Sequence, residues 1–265
     1  MYQIKVDCHT HTIFSGHAYG TLEENLRHAS EIGLEGLSIA DHCGKLFLPL
    51  FQLAPYNSVS HFVNYKDVPE TCFGVRLLRS AEMDINDLQG NLFGMDTLGP
   101  RDKPIAQIVL DSCDLAIASV HSFPEMHSGT TAQYTEMYCN AIRTPGIHIL
   151  GHIGRTGLPF DIDEVLLTAK ECGKMIELNN HSFEFDEAPK QRCKEIALRC
   201  AELGVMVAVN RDAHSSFRVG TFEMVTAMME EIHFPQELIA IESLEKLLAV
   251  VQAANEKQNY EKTPQ

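Results

Sequence analysis

A short apolar run, a polar loop, an amphipathic stretch and then another apolar run recur along this chain, and that alternation constrains the fold more than any other feature. It is the pattern of βα units. The apolar runs are Ile4–Cys8, Gly36–Ala40, Val75–Ala81, Leu115–Val120, His148–Gly151, Met175–Leu178 and Val205–Val209. They are rich in Val, Ile and Leu, as strands covered on both faces by helices are. The spacing between them predicts helices over Thr21–Ile32, Pro104–Asp111, Ala132–Ile142, Asp161–Glu171, Pro189–Leu203 and Phe222–Ile232, with a terminal helix over Leu244–Ala254. Thr21 and Glu24 have the spacing of a capping box, and Gly33 stands where that helix should stop. Because a helix follows each strand, the expectation is an α/β domain over residues 1–254 whose seven strands close into a barrel, followed by a polar tail, 255–265. Gly44–Thr71 and Asp84–Leu98 interrupt the rhythm; loops of this kind shape a substrate mouth, and the second reads as a short hairpin or loop excursion.

The chemistry sits at one end of these strands. His9 and His11 follow the first run, His42 ends the second, Glu82 the third, His121 the fourth, His152 the fifth, and Asp212 with His214 close the seventh; His17 lies in the loop before the first helix. All of them would project from the carboxyl rim of parallel strands, where side chains distant in sequence converge. A single histidine near a strand end is ordinarily a hydrogen-bonded loop residue. The set is different, because structural histidines have no reason to recur at the same end of five strands. Imidazole and carboxylate donors suit zinc, manganese or iron, and at roughly four ligands per zinc nine residues are enough for two or three ions. Such ions would neutralise phosphate oxygens, acidify a water and stabilise a leaving oxygen.

Neighbouring residues have narrower roles. Asp7 shares the strand face of His9 and His11 and is placed to fix an imidazole tautomer; Asp41 adjoins His42 and is placed to orient it or to shuttle a proton. Arg155, just past His152, is the best phosphate-binding cation, while Arg211 fits a structural ion pair at least as well. Asn179 and Asn180 reach the rim as neutral donors and acceptors. His28 and His233 fall in helices as surface or packing residues. His61, His127 and His181 are weak substrate candidates in rim loops, and His148 lacks the rim placement.

The formal charge of −15 argues against wrapping duplex nucleic acid, so a small anionic substrate needs local cations. No run approaches the roughly 18 apolar residues of a membrane span, and the opening residues are unlike a secretory signal; a cytoplasmic protein is expected. The eight scattered cysteines make no CxxC pair and read as reduced thiols, with Cys193 and Cys200 on one buried helix face.

With these residues in view, the sequence resembles the polymerase and histidinol phosphatase (PHP) superfamily, whose Asp-x-His-x-His opening stands here as Asp7-Cys8-His9-Thr10-His11. Ser38-Ile39-Ala40-Asp41-His42, Ser80-Ala81-Glu82, Ala118-Ser119-Val120-His121, Leu150-Gly151-His152 and Arg211-Asp212-Ala213-His214 fit its later blocks, so the likeness spans about residues 4–250. Ser15-Gly16-His17-Ala18-Tyr19 together with Glu177-Leu178-Asn179-Asn180 is similar to the stand-alone phosphatases of the YcdX type. The resemblance implies a distorted, TIM-like seven-stranded barrel holding three zinc ions. His9, His11, Glu82 and Asp212 would hold one, Glu82 would bridge to a second held by His121 and His152, and His17, His42 and His214 would hold the third. It departs from the usual pattern at Arg211, where a small or polar residue is more common, and after His152, where a proline is frequent. The expected activity is hydrolysis of a small-molecule phosphate monoester by a metal-activated hydroxide. The alternatives are a histidinol-phosphate phosphatase, a nuclease of short oligonucleotides and a non-catalytic metal-binding regulatory domain; a homo-oligomer is left open.

Overall fold

A computed structural model of the chain describes residues 2–261, with side chains as far as Gln258. Its strands are β1 (Val6–Thr10), β2 (Gly36–Ile39), β3 (His42–Cys43), β4 (Thr71–Cys72), β5 (Val75–Arg79), β6 (Glu82–Asp84), β7 (Ile117–Ser119), β8 (Ile149–Leu150), β9 (Met175–Asn179) and β10 (Val207–Asn210). The helices are α1 (Leu22–Glu31), α2 (Pro55–Ser58), α3 (Ser60–Asn64), α4 (Ile105–Leu110), α5 (Thr131–Arg143), α6 (Ile162–Cys172), α7 (Glu187–Leu203), α8 (Glu223–Glu231) and α9 (Leu244–Glu261). Each expected strand is present within about two residues, and the apolar runs are buried as a doubly covered sheet requires.

The expected closed barrel does not form. The ladders make two sheets, β1-β2-β5-β4 and β10-β9-β8-β7-β6-β3, and every pairing is parallel except β4 with β5. The second and third expected strands break at Ala40–Asp41 and Ser80–Ala81, so β2 and β5 lie in the first sheet while their continuations β3 and β6 lie in the second. No ladder joins β1 to β10 among the described residues; an isolated bridge links Thr10 to Ala213, three residues past the end of β10. Side chains fill the seam. The Cys8 N–H donates to Asn210 Oδ1 at 2.9 Å, and the Arg211 and Gly220 N–H groups donate to the Asp7 carboxylate at 3.2 and 3.1 Å.

The helices follow their local signals. Thr21 and Glu24 form the capping box of α1, and Gly33 leaves the helix at φ +76°. Helix α9 runs seven residues past its expected end, because Asn255 accepts from His148 Nε2 at 3.0 Å and Lys257 reaches the Glu171 carbonyl. The expected tail is therefore helical as far as Glu261, and 262–265 lie outside the described residues. Gly44–Thr71 carries the short helices α2 and α3, and the excursion after Asp84 turns back through an antiparallel bridge between Ile85 and Leu92. All eight cysteines are free thiols, with Cys193 and Cys200 both buried. Among the described residues no helix is long and apolar enough to cross a membrane.

The main core packs the second sheet against α4 to α9, and a smaller one packs α1 on the first sheet through Leu26, Ala29, Leu37, Ile39 and Leu77. The parallel strands point the same way, so their carboxyl ends meet on one face.

Candidate metal centre

That face gathers all nine expected donors. His9 sits in β1, His42 opens β3 and Glu82 opens β6, while His121, His152 and Asp212 each lie two residues past the ends of β7, β8 and β10. Among the described residues three sets have ligand atoms within 4.8 Å of one another: His9, His11 and Asp212; His42, Glu82 and His121; and His11, His42 and His214. Glu82 is central, with Oε1 2.8 Å from His152 Nε2 and 3.3 Å from His9 Nε2, and Oε2 2.7 Å from His42 Nδ1. Asp212 Oδ1 lies 3.2 Å from His11 Nε2 and 3.5 Å from His214 Nδ1. His17 is exposed, and its ring stands 4.5 Å from that of His214.

Five of the seven histidines, His9, His11, His17, His121 and His214, are turned so that Nδ1 is tethered and Nε2 is left for the centre. Nδ1 of His9 is held by Glu177 at 2.7 Å, that of His11 by Ser15 Oγ at 3.1 Å, and that of His121 by Asp84 at 2.7 Å. Nδ1 of His17 and of His214 donates to the carbonyl of Ser15 and of Asp212, at 3.0 and 3.1 Å. Tethering one nitrogen fixes the tautomer and leaves Nε2 with its lone pair toward a cation. Gly44 makes one tether possible, because a Cβ there would collide with the Asp84 carboxylate. His152 and Asp212 sit at φ 30° and 59°, in a region that side chains rarely adopt, so the fold accepts local strain to aim these two donors.

Whether these residues fit metal ions can be judged from their unmet bonds. His9 Nε2, His11 Nε2, both nitrogens of His42, His152 Nδ1, Glu82 Oε2, Asp212 Oδ1 and His214 Nε2 are buried without a hydrogen-bond partner among the described residues. A buried polar atom left unpaired costs about 1–3 kcal/mol, and eight in one place, imidazole nitrogens beside carboxylate oxygens, are a donor set that fits metal ions. Electrostatics agrees. Burial would raise the Glu82 and Asp212 carboxyls, but His9 and the neighbouring imidazoles hold both well below the usual carboxylate range. Burial, followed by His42, lowers His11 to about 3, and burial lowers His152 and His214 to about 4, which leaves neutral imidazoles. Burial pulls His9 and His121 the same way, but Glu177 with Glu82 and Asp212 holds His9 well above its ordinary range, and Glu82 with Asp84 raises His121 to about 9. The surplus negative charge draws a proton where it would equally draw a divalent ion.

Several expected roles change. Asp7 touches no imidazole; its oxygens accept the N–H groups of His9, Arg211 and Gly220, so it closes the strand seam. Glu177 holds the tautomer of His9 instead, and its second oxygen accepts the His152 N–H at 2.7 Å. Asp41 does not bond the His42 ring. It accepts from Thr12 N and Ser15 Oγ, both at 2.7 Å, and meets His61 Nε2 at 3.0 Å, so it reaches His11 only through Ser15. Asn180 is turned away from the rim to accept the Met224 and Val225 N–H groups at the start of α8, whereas Asn179 lies 3.3 Å from Asp212. Arg211 makes the expected ion pair, to Glu184 at 2.7 Å. Glu177, Asp84 and Ser15 are the tethering residues that the sequence alone did not point out; Asp84 was legible two residues past Glu82 on one strand face.

A cavity of about 550 Å³ opens over the donors, lined by His17, His42, His121, Arg155, Asp212 and His214 among others. Arg155 donates to Asp212 Oδ2 at 3.0 Å and lies over the Phe185 ring. Placed so, it can meet an anion that bridges the donors.

No family model matches the chain. The probable phosphatase of Acetivibrio thermocellus is 39% identical over 241 residues, which cover 91% of this chain and 92% of the relative. That of Clostridium acetobutylicum is 35% identical over 256 residues, 96% of this chain and 97% of the relative. Among solved structures, the histidinol phosphate phosphatase of Lactococcus lactis, determined with zinc, L-histidinol and phosphate, superposes with a TM-score of 0.54 at 17% identity, covering 87% of this chain and 94% of that one. At that identity the likeness is one of fold, an α/β architecture of parallel sheets. The full-length match to the bacterial sequences carries more, and it places the chain in their family, that of the probable phosphatases.

Proposed function

We propose that the chain is a metal-dependent phosphoesterase that hydrolyses phosphate monoesters of small molecules, a stand-alone enzyme of the PHP superfamily and its YcdX-like group. The observation that carries this reading is the set of eight unpaired buried donor atoms beneath a cavity walled by Arg155. His9, His11, His42, Glu82, His121, His152, Asp212, His214 and His17 would hold divalent ions, three by the resemblance and zinc first by donor type. Bound there, the ions would supply Lewis acidity and a water of lowered pKa. The chain's own part is to bind and orient. The Arg155 guanidinium offers two parallel donors to phosphate oxygens, and Asp212 with Phe185 fixes its plane. Glu177 keeps the His9 ring and the His152 backbone in register, and Asp41 acts through Ser15 as a positioning residue for His11. Burial keeps bulk water off the inner donors.

The test is phosphate release by metal-replete protein from p-nitrophenyl phosphate and a panel of metabolite monoesters, histidinol phosphate among them, beside a His9→Ala His11→Ala control. Release well above the control is expected. Release no greater than the control would count against the reading, as would metal-dependent shortening of labelled oligonucleotides in its place.

A further inference from the structure

Two of the arginines that line the cavity share one acid. Arg211, 3% exposed, pairs through NH2 with Glu184 Oε1 at 2.7 Å and donates through Nε to Thr221 Oγ1 at 2.8 Å. Its third nitrogen, NH1, is buried and has no hydrogen-bond partner among the described residues. Arg218 stands at the exposed rim, with NH1 3.8 Å from the same Glu184 oxygen, and the other Glu184 oxygen is taken by His181 Nδ1 at 2.9 Å. One carboxylate thus serves two guanidinium groups, and the cavity that both line keeps a net positive charge on that side.

An always-charged guanidinium, nearly out of water and short of one acceptor, is costly unless a ligand completes it. Arg211 is a neighbour in sequence of Asp212, so this unmet donor lies one residue from the donor cluster yet on a separate set of partners. Arg155 is already placed for the phosphate that is to be cleaved. We infer that Arg211 and Arg218 form a second anion subsite, and that the substrates preferred here are phosphate monoesters whose leaving portion carries another anionic group, a phosphate or a carboxylate. The inference rests on the phosphoesterase reading and deepens it. It also disfavours a leaving group bearing an ammonium, such as that of histidinol phosphate, because Glu184, the acid beside these arginines, is already engaged by Arg211, Arg218 and His181.

The test is a matched series of linear phosphate monoesters with spacers of three to six carbons, ending in a hydroxyl, a carboxylate, a second phosphate or an ammonium, assayed on the metal-replete enzyme. The subsite predicts kcat/KM at least about 10-fold higher for one of the anionic ends than for the hydroxyl end, the size expected of one charge-assisted bond, and lowest for the ammonium. The phosphate and carboxylate arms tell the two anions apart. Arg218→Gln, at an exposed position that tolerates change, should bring the ratio of anionic to hydroxyl ester toward one through KM, Arg218→Lys should restore part of it, and Arg211→Gln should lower it further. Turnover of the hydroxyl ester with all four ends within about twofold of one another would overturn the subsite and leave the phosphatase reading standing. Absence of phosphate release from every ester would overturn both.

Discussion

Glu177 is the residue on which most of the site's geometry converges. It is fully enclosed in β9, yet each of its oxygens is used twice: Oε1 by His9 Nδ1 and Asn210 Nδ2, Oε2 by the His152 N–H and Asn179 Nδ2. Burial alone would raise its carboxyl, but His9 holds it below the usual range, so it is ionised and can fix the imidazole. Replacing it by glutamine, Glu177→Gln, keeps the shape but weakens that tether, and metal affinity should fall about 10–100-fold, read by competition with a chromophoric chelator. Unchanged affinity would remove Glu177 from the account. That the nine candidate donors share one rim was legible in the sequence, because they recur at strand ends. The Glu177 tether was not, since an acid inside an apolar run has no period to betray it. The one available signal was that a charge in the run Met175–Leu178, covered on both faces, needs a partner. Asp7 misled for a related reason: alternation along a strand gives a face, but whether an imidazole or a backbone N–H occupies that face depends on the neighbouring strand.

Among the elements, α9 ties the far end of the chain to the sheet through one histidine. His148 Nδ1 accepts the Ala116 N–H while Nε2 donates to Asn255, a pattern that only neutral imidazole can satisfy. Burial, followed by Lys174, accordingly lowers its pKa from 6.5 to about 4. The unfolded chain takes up this proton first as pH falls, so the contribution of neutral His148 is complete above about pH 6.5 and is lost between there and about pH 4. It amounts to something on the order of 3 kcal/mol. In a His148→Gln variant, urea denaturation should show a shallower loss of stability across that window than the parent; parallel curves would contradict the assignment. The extension of α9 beyond Ala254 was hidden for the same reason, because residues after it are polar and only the partner on the sheet shows that they are held. The interrupted strands tell a similar story. Val, Ile and Leu mark where strands lie, but the breaks at Ala40–Asp41 and Ser80–Ala81 are made by partners far away in sequence, such as Thr12 on Asp41.

For the molecule as a whole, the seam between β1 and β10 brings the first donors against the last. Asn210 spans it, donating to Glu177 and accepting from Cys8, so fold and site share this residue. Asn210→Ala should destabilise the chain by about 1–3 kcal/mol, seen as a lower urea midpoint at unchanged slope, and should loosen His9 through Glu177. A midpoint equal to that of the parent would mean that the seam is held by the backbone alone. Sheets, seam and tethers together hold these imidazole and carboxylate atoms on one face, an arrangement that suits a cation between them. The most direct test is phosphate release from p-nitrophenyl phosphate by protein stripped with a strong chelator and then titrated with zinc or manganese. Activity should vanish on stripping and return in proportion to metal bound, while His9→Ala His11→Ala stays inactive throughout. Turnover that persists in fully stripped protein would contradict the account.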